Sequence, residues 1–190
     1  MLAALVAALL TVVLGAVTAN PAEAALPTQQ QWVSDTYQAH YGSRYFLHQR
    51  VVQQQAADAR NGTTVRLAVN LDIDNTSLAS HYAPGKLVLA TLRFVRYAKG
   101  LGVTVLFNTG RLQSVTGQAA AQLRKAGYPV DGICGRQQDE GLAHSKQRCR
   151  RKFAAAGYTI VTNVGNRATD FTGTGYERAV RLPNYANQLS

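Results

Sequence analysis

Asp72 and Asp74 stand two positions apart in the stretch Leu67-Ala68-Val69-Asn70-Leu71-Asp72-Ile73-Asp74-Asn75-Thr76. Leu67 to Leu71 is a short, mostly apolar run, suited to a strand buried on both faces of a parallel sheet. Residues i and i+2 at a strand end point the same way, so the two carboxylates share one small volume if strand geometry persists that far. Like charges that close are costly unless a cation or a shared proton offsets them. A divalent metal is the simplest occupant. Asp and Asn at a strand end also make plain Asx turns, so the pair does not identify a site by itself. An EF-hand calcium loop is excluded, because Ser77 falls where its glycine is required and Ala83 where its bidentate Glu is required.

Four later positions supply complementary chemistry: Thr109 in Asn108-Thr109-Gly110-Arg111, then Lys146, then Asn166 and Asp170 in the run Gly165 to Asp170. Two Asp, a Thr, a Lys and a further Asp-bearing turn form a phosphoryl-transfer set. One carboxylate attacks phosphorus, a metal and a lysine neutralise phosphate oxygens, and the second carboxylate shuttles the proton. Taken singly, Thr109 reads equally well as a helix cap, Lys146 as a solvated helix residue and Asp170 as a loop carboxylate. Arg111 reads either as a phosphate ligand or as the partner of a surface acid, and stays outside the core set.

Positioning these residues requires a sheet. After the Asp72 turn and a loop containing His81, Tyr82 and Pro84, the apolar spacing predicts a helix over 87–99 that ends at Gly100. Strands are expected at 103–107, 129–134, 158–164 and 179–182, with helices at about 113–126 and 146–156. Alternation at this period means βαβ units, right-handed connections and an α/β fold with a parallel sheet of about five strands. In such sheets ligands bind beyond the carboxyl ends of the strands, where all the candidate residues fall. Upstream, Pro27 to Arg60 has helical character, broken at Gly42-Ser43, and predicts two helices.

With these residues in place, the chain resembles the haloacid dehalogenase-type (HAD) phosphatases, most closely the class B-like acid phosphatases of subfamily IIIB. Asp72-Ile73-Asp74-Asn75-Thr76 matches the first family motif, Thr109 the second, Lys146 the third and Gly165 to Asp170 the fourth. The resemblance covers roughly 66–182 and implies a Rossmann-like HAD core. It implies that Asp72 is the nucleophile, that Asp74 protonates the leaving oxygen and later activates water, and that Thr109 and Lys146 hold the phosphoryl group. It also implies Mg²⁺ bound by Asp72, the Asp74 backbone carbonyl and the fourth motif. Asn166 stands where many relatives carry Asp, so either Asn166 or Asp170 is the direct ligand. The stretches from Thr76 to Thr109 and from Thr109 to Lys146 are used up by one helix and one strand each, so no cap domain fits and the pocket is expected to be open. Gly110 is expected to bind substrate beside Thr109, and His81 and Tyr82 to line the pocket's mouth, with a packing role equally open to Tyr82.

The remaining composition sets limits. In 190 residues, 46% of them hydrophobic, there is material for one domain with a core. Residues 1–19 are apolar, Asn20-Pro21 interrupts, and Ala22-Glu23-Ala24 has the small-x-small pattern of a signal-peptidase site. The expected division is a signal peptide at 1–24, a helical extension at 25–64 and the catalytic core at 65–190, in an exported protein; an uncleaved anchor is the alternative. Cys134 and Cys149 are the only cysteines, which in an exported chain favours one disulfide. The histidines lack metal-ligand spacing, so zinc is not expected.

A net charge of +10 favours anionic partners such as phosphomonoesters. The basic run at 136, 146, 148 and 150–152 reads as a solvated face, and no nucleic-acid motif accompanies it. The competing reading is a secreted, catalytically silent domain that binds anionic envelope polymers through that face. A phosphatase narrowed to nucleotide or lipid phosphates is a third. A homo-oligomer whose second subunit covers the open pocket is compatible with the sequence.

Overall fold

Five strands pair in parallel in the order β3-β2-β1-β4-β5, with β1 spanning Arg66–Leu71, β2 Thr104–Leu112, β3 Gly132–Arg136, β4 Tyr158–Gly165 and β5 Arg178–Arg181. The computed structural model describes residues 25–189, so the expected signal segment and its cleavage near Ala24 lie outside them. Three crossover helices follow strands: α3 (Leu89–Gly100), α4 (Thr116–Lys125) and α5 (Leu142–Ala155). The sheet grows from β1 outward to β3 on one side and then to β5 on the other. Its switch point is therefore the carboxyl end of β1, the place where open α/β sheets bind ligands.

Side-chain alternation divides the core. Leu67, Val69 and Leu71 join Val105 and Phe107 in the larger cluster, beneath α3 and α4. Ala68, Leu106 and Ile160 lie on the opposite face, against Cys149 and Phe153 of α5. The even-numbered residues of β1 thus face α5, which decides where Asp72 points.

The two expected N-terminal helices are present as α1 (Gln29–Ala39) and α2 (Ser43–Asn61). Thr28 caps α1 by accepting the Gln31 N–H at 3.2 Å. Gly42 and Gly62, both left-handed, bound α2. Trp32 of α1 is buried with Ala79, Val88 and Leu189, so the extension is bonded to the core by packing. Among the described residues no helix is long and apolar enough to cross a membrane.

Two boundaries differ from expectation in ways that matter. Strand β2 does not close at Phe107. It runs on through Asn108-Thr109-Gly110-Arg111 to Leu112, with a register shift against β3 between Asn108 and Leu112. Helix α5 begins at Leu142, one turn before Lys146, so Lys146 lies inside the helix and not at its start. No further domain is inserted between β1 and α3. The connecting loop is instead tied down by single bridges from Leu78 to Asp74 and to Leu87.

Candidate active site

The turn after β1 is built by its own short hydrogen bonds. Asp72 N–H donates to Val164 O at 2.9 Å, extending the sheet by one residue. Ile73, fully buried, offers its carbonyl to the N–H groups of Ser77 and Leu78, each at 2.8 Å. Asn75 takes the left-handed conformation (φ 55) that reverses the chain, which Asn tolerates better than other non-glycine residues. The Asx character of the stretch is therefore real, and it orients the two carboxylates.

Lys146 reaches Asp72 from α5. Its Nζ lies 2.5 Å from Asp72 Oδ1 and 2.6 Å from Asn108 O. It also lies 2.7 Å from Asp170 Oδ1, an ion pair that is not aligned as a hydrogen bond. All three charged groups are buried. Burial opposes the Lys146 charge, but Asp72 and Asp170 outweigh it and hold the ammonium above the usual lysine range. One ammonium does not fully offset two carboxylates. Burial pushes Asp72 up to about 6, against the pull of Lys146 and with a further push from Asp170.

Asp170 is set by the loop after β4. Its Oδ2 accepts the N–H groups of Asn166 at 3.1 Å and Arg167 at 2.9 Å. Gly165 leaves room for that fold-back, since a Cβ there would collide with the Asp170 carboxylate. The carbonyl of Asp170 accepts Asn163 Nδ2 at 2.9 Å and Arg150 Nη1 at 2.8 Å. Asn166 turns the other way: its Oδ1 and Asp72 Oδ2 both face the Thr76 hydroxyl, at 3.5 and 3.3 Å.

Asp74 has a separate partner. Arg111 grips it with two hydrogen bonds, Nε to Oδ2 at 3.0 Å and Nη2 to Oδ1 at 2.7 Å, and Ser80 donates at 2.6 Å. Burial raises the Asp74 pKa, but these donors outweigh it and hold the carboxyl below its usual range. Gln122 of α4 braces the other side of the guanidinium at 2.7 Å.

Asp72, Asp74, Gly110, Arg111, Lys146, Arg167 and Asp170 line one cavity of about 280 Å³. A Cβ on Gly110 would come within 2.8 Å of Leu142 Cδ2, the movable end of another lining side chain. Thr109 is fully buried and lies outside the lining, its oxygen accepting the Arg111 N–H at 3.1 Å. Asn166 is also outside the lining. His81 and Tyr82 do not form the mouth. Tyr82 is drawn off by Trp32, with ring centroids 5.2 Å apart, and by its bond to Pro27 O at 2.6 Å, while His81 packs edge-on against it. Among the described residues no residue of α1 or α2 lines the cavity.

Two arginines matter more to the site than their places in the chain indicate. Arg111 carried a signal, its place in Asn-Thr-Gly-Arg at a strand end, but its partner lies far off in the chain. Arg150 carried none, being one of a basic run. That run is not a solvated face: Lys146 and Arg150 are buried, and Arg148 pairs with Glu140 at 2.7 Å. Arg136 bonds to Gly110 O, leaving Arg151 and Lys152 exposed. Cys134 and Cys149 form the expected disulfide, joining β3 to α5.

Among the described residues no three His, Cys, Asp or Glu side chains gather at metal-binding spacing. The oxygen set nevertheless fits a hard divalent cation. Asp72 Oδ2 and Asn166 Oδ1 converge on one hydroxyl, each with only that long contact, and Mg²⁺ keeps several waters beside one or two protein oxygens.

Comparison with known proteins adds an independent line. No curated protein matches the chain in sequence. In structure it is similar to the class C acid phosphatase from Bacillus anthracis, at 19% identity over 83% of this chain and 79% of that one, with a TM-score of 0.62. The same enzyme with tungstate bound aligns at 19% identity over 82% and 84%, TM-score 0.51. A chain of a Pnkp1/Rnl/Hen1 complex aligns at 15% identity over 63% and 46%, TM-score 0.52. At these identities the likeness carries the fold alone. The family profile described as HAD superfamily, subfamily IIIB (Acid phosphatase) matches residues 83–188, more than half of the chain, taking in Thr109, Lys146, Asn166 and Asp170 and beginning after the Asp72 turn. The chain belongs to the HAD superfamily, subfamily IIIB (acid phosphatase), and is a phosphomonoesterase.

Proposed function

We propose that the protein hydrolyses small-molecule phosphomonoesters through an aspartyl-phosphate on Asp72, with Mg²⁺ as cofactor. The observation that carries this is the Lys146 ammonium 2.5 Å from the Asp72 carboxylate, both buried at the floor of a cavity that Asp74 also lines. An Asp72 oxygen attacks phosphorus as the ester P–O bond breaks, and the leaving oxygen takes a proton from Asp74, which has first gained it from solvent because Arg111 otherwise holds it ionised. Water then attacks the acyl phosphate, gives its proton to Asp74 and releases inorganic phosphate. Lys146, held by Asn108 and Asp170, aims the nucleophile and stabilises charge on the phosphoryl oxygens. Arg167 and Arg111 draw the phosphate in and the Gly110 backbone lines the cradle, while Thr109, buried behind it, steadies the strand end by accepting the Arg111 N–H.

Asp72, the Asp74 backbone carbonyl and Asn166 would hold the cation, which supplies charge neutralisation at the phosphoryl oxygens. Asp170 is already engaged by Lys146 and two backbone N–H groups, which favours Asn166 as direct ligand. We also infer export directed by residues 1–24, with 25–64 as a helical extension and 65–190 as the catalytic core. The break between Asn61, where α2 ends, and Arg66, where β1 begins, supports that division.

Release of phosphate from p-nitrophenyl phosphate by the full chain, with and without Mg²⁺, tests the reading beside Asp72→Asn. Magnesium-dependent turnover is expected, with a loss of at least about a thousandfold in the variant. Turnover that survives Asp72→Asn, or that ignores divalent cations, would overturn it.

A further inference from the structure

Next to the reaction cavity lies a larger one, of about 650 Å³, and the two share Asp74 and Arg111. If Asp74 protonates the leaving oxygen, the group carried on that oxygen extends past Asp74, away from Asp72. The larger cavity adjoins that carboxylate. Its volume suits a nucleoside-sized body, and Leu78, Pro84, Leu87 and Ala126 give it an apolar wall for a carbon skeleton.

Its charge is lopsided. Asp74 is the one acid in the lining, and Arg111 already satisfies it through two hydrogen bonds. Lys86, from the loop after the first motif, and Lys125, at the end of α4, remain as further cations, and neither forms an ion pair among the described residues. With 20 Lys and Arg against 10 Asp and Glu, unpaired cations are common in this chain, and what sets these two apart is their place in one lining beside a single, already paired acid. Two lysines without acids, brought by separate elements to one concave wall, leave the cavity with surplus positive charge that an anion would offset.

We infer that this cavity is the leaving-group subsite and that its substrates are phosphomonoesters whose leaving group bears a second anionic group, a phosphate or a carboxylate, held by Lys86 and Lys125. The inference rests on the proposed reading of Asp74 as the proton donor to the leaving oxygen. Arg111, braced between Asp74 and Gln122, forms the partition between the phosphoryl cavity and this subsite.

The test compares matched substrates on the full chain. Adenosine 3′,5′-bisphosphate against adenosine 5′-monophosphate and adenosine 3′-monophosphate probes a second phosphate. 3-Phosphoglycerate against glycerol 3-phosphate probes a second carboxylate. The kcat/KM ratio within at least one pair is expected to exceed about tenfold and to collapse towards unity in Lys86→Ala/Lys125→Ala, with Lys86→Arg/Lys125→Arg retaining it. Both lysines are exposed, so these variants fold. Ratios near unity in both pairs, or a ratio unchanged in the alanine variant, would overturn the subsite.

Failure of the phosphatase reading looks different: p-nitrophenyl phosphate is not turned over at all. Calorimetric titration with the same adenosine phosphates then decides. Binding of the bisphosphate about tenfold tighter than either monophosphate, lost in the alanine variant, supports the subsite. Equal binding rejects it.

Discussion

At Lys146 a single ammonium meets a carboxylate on each side and a backbone carbonyl, and is almost wholly buried. Such a group is costly to bury and costlier to leave unpaired, so Asp72, Asp170 and Lys146 stand or fall together. Arg111 and Asp74 form a different kind of pair, half-exposed and bidentate. Its worth to stability is small; its worth to catalysis is orientation. Replacing Arg111 by Met is expected to lower kcat/KM for p-nitrophenyl phosphate by about ten- to a hundredfold while Tm moves little. Arg111→Lys should not restore it, because an ammonium cannot reproduce the planar fork. Steady-state kinetics of both variants beside a thermal melt decide this, and undiminished turnover in Arg111→Met would reduce Arg111 to a surface ligand of Asp74.

Helix α5 is the element on which the site turns, since it carries Lys146 inward and Arg150 to the loop that shapes Asp170. Arg150 is fully buried and donates to the carbonyls of Asp170, Thr172 and Thr174, pinning that loop against α5. The disulfide from Cys149 to Cys134 ties the same helix to the sheet across a sequence separation of 15. Cys134→Ser/Cys149→Ser is expected to cost about 3 kcal/mol, or roughly 6–12 °C in Tm. The loosened helix should also lower kcat more than it raises KM. Differential scanning calorimetry with parallel kinetics measures both, and a variant that loses stability yet keeps full kcat would show that Lys146 is held by its ion pairs without help from the tether.

For the whole molecule, the seam between the N-terminal helices and the sheet domain contains a buried titratable group. His40, at the end of α1, sits 3.1 Å from Thr91 Oγ1 of α3 and 5.4 Å from the Phe94 ring. Burial lowers its pKa from 6.5 to about 4, and the charge of Arg44 adds to the shift. The folded protein therefore keeps His40 neutral while the unfolded chain takes up a proton. Stability should be constant in this respect above pH 6.5 and fall as pH drops towards 4, by up to about 3 kcal/mol. Urea unfolding between pH 4 and 7 measures the slope, and His40→Gln should flatten it. An unchanged slope in the variant would assign the acid sensitivity to other groups.

Local rules sufficed for much of this. The short apolar run of β1 and the crowding of Asp, Asn and Thr after it determine a doubly buried strand that ends in a turn carrying Asp72 and Asp74. The strand–helix alternation determines a parallel sheet, and a single pair of cysteines favours the one disulfide that forms. These are properties of neighbouring residues or of counts. What the tertiary structure decided is which distant groups meet. Arg111 grips Asp74 because β2 runs past its expected end and arches over the turn. Arg150 is buried because it lies on the α5 face that meets the Asp170 loop, whereas Arg151 next to it is exposed. Tyr82 leaves the mouth because Trp32, from an element fifty residues earlier, offers it a better contact. A side chain in an irregular loop has no period to follow, so its direction is set by the partners the fold brings, and those are not written near it in the chain.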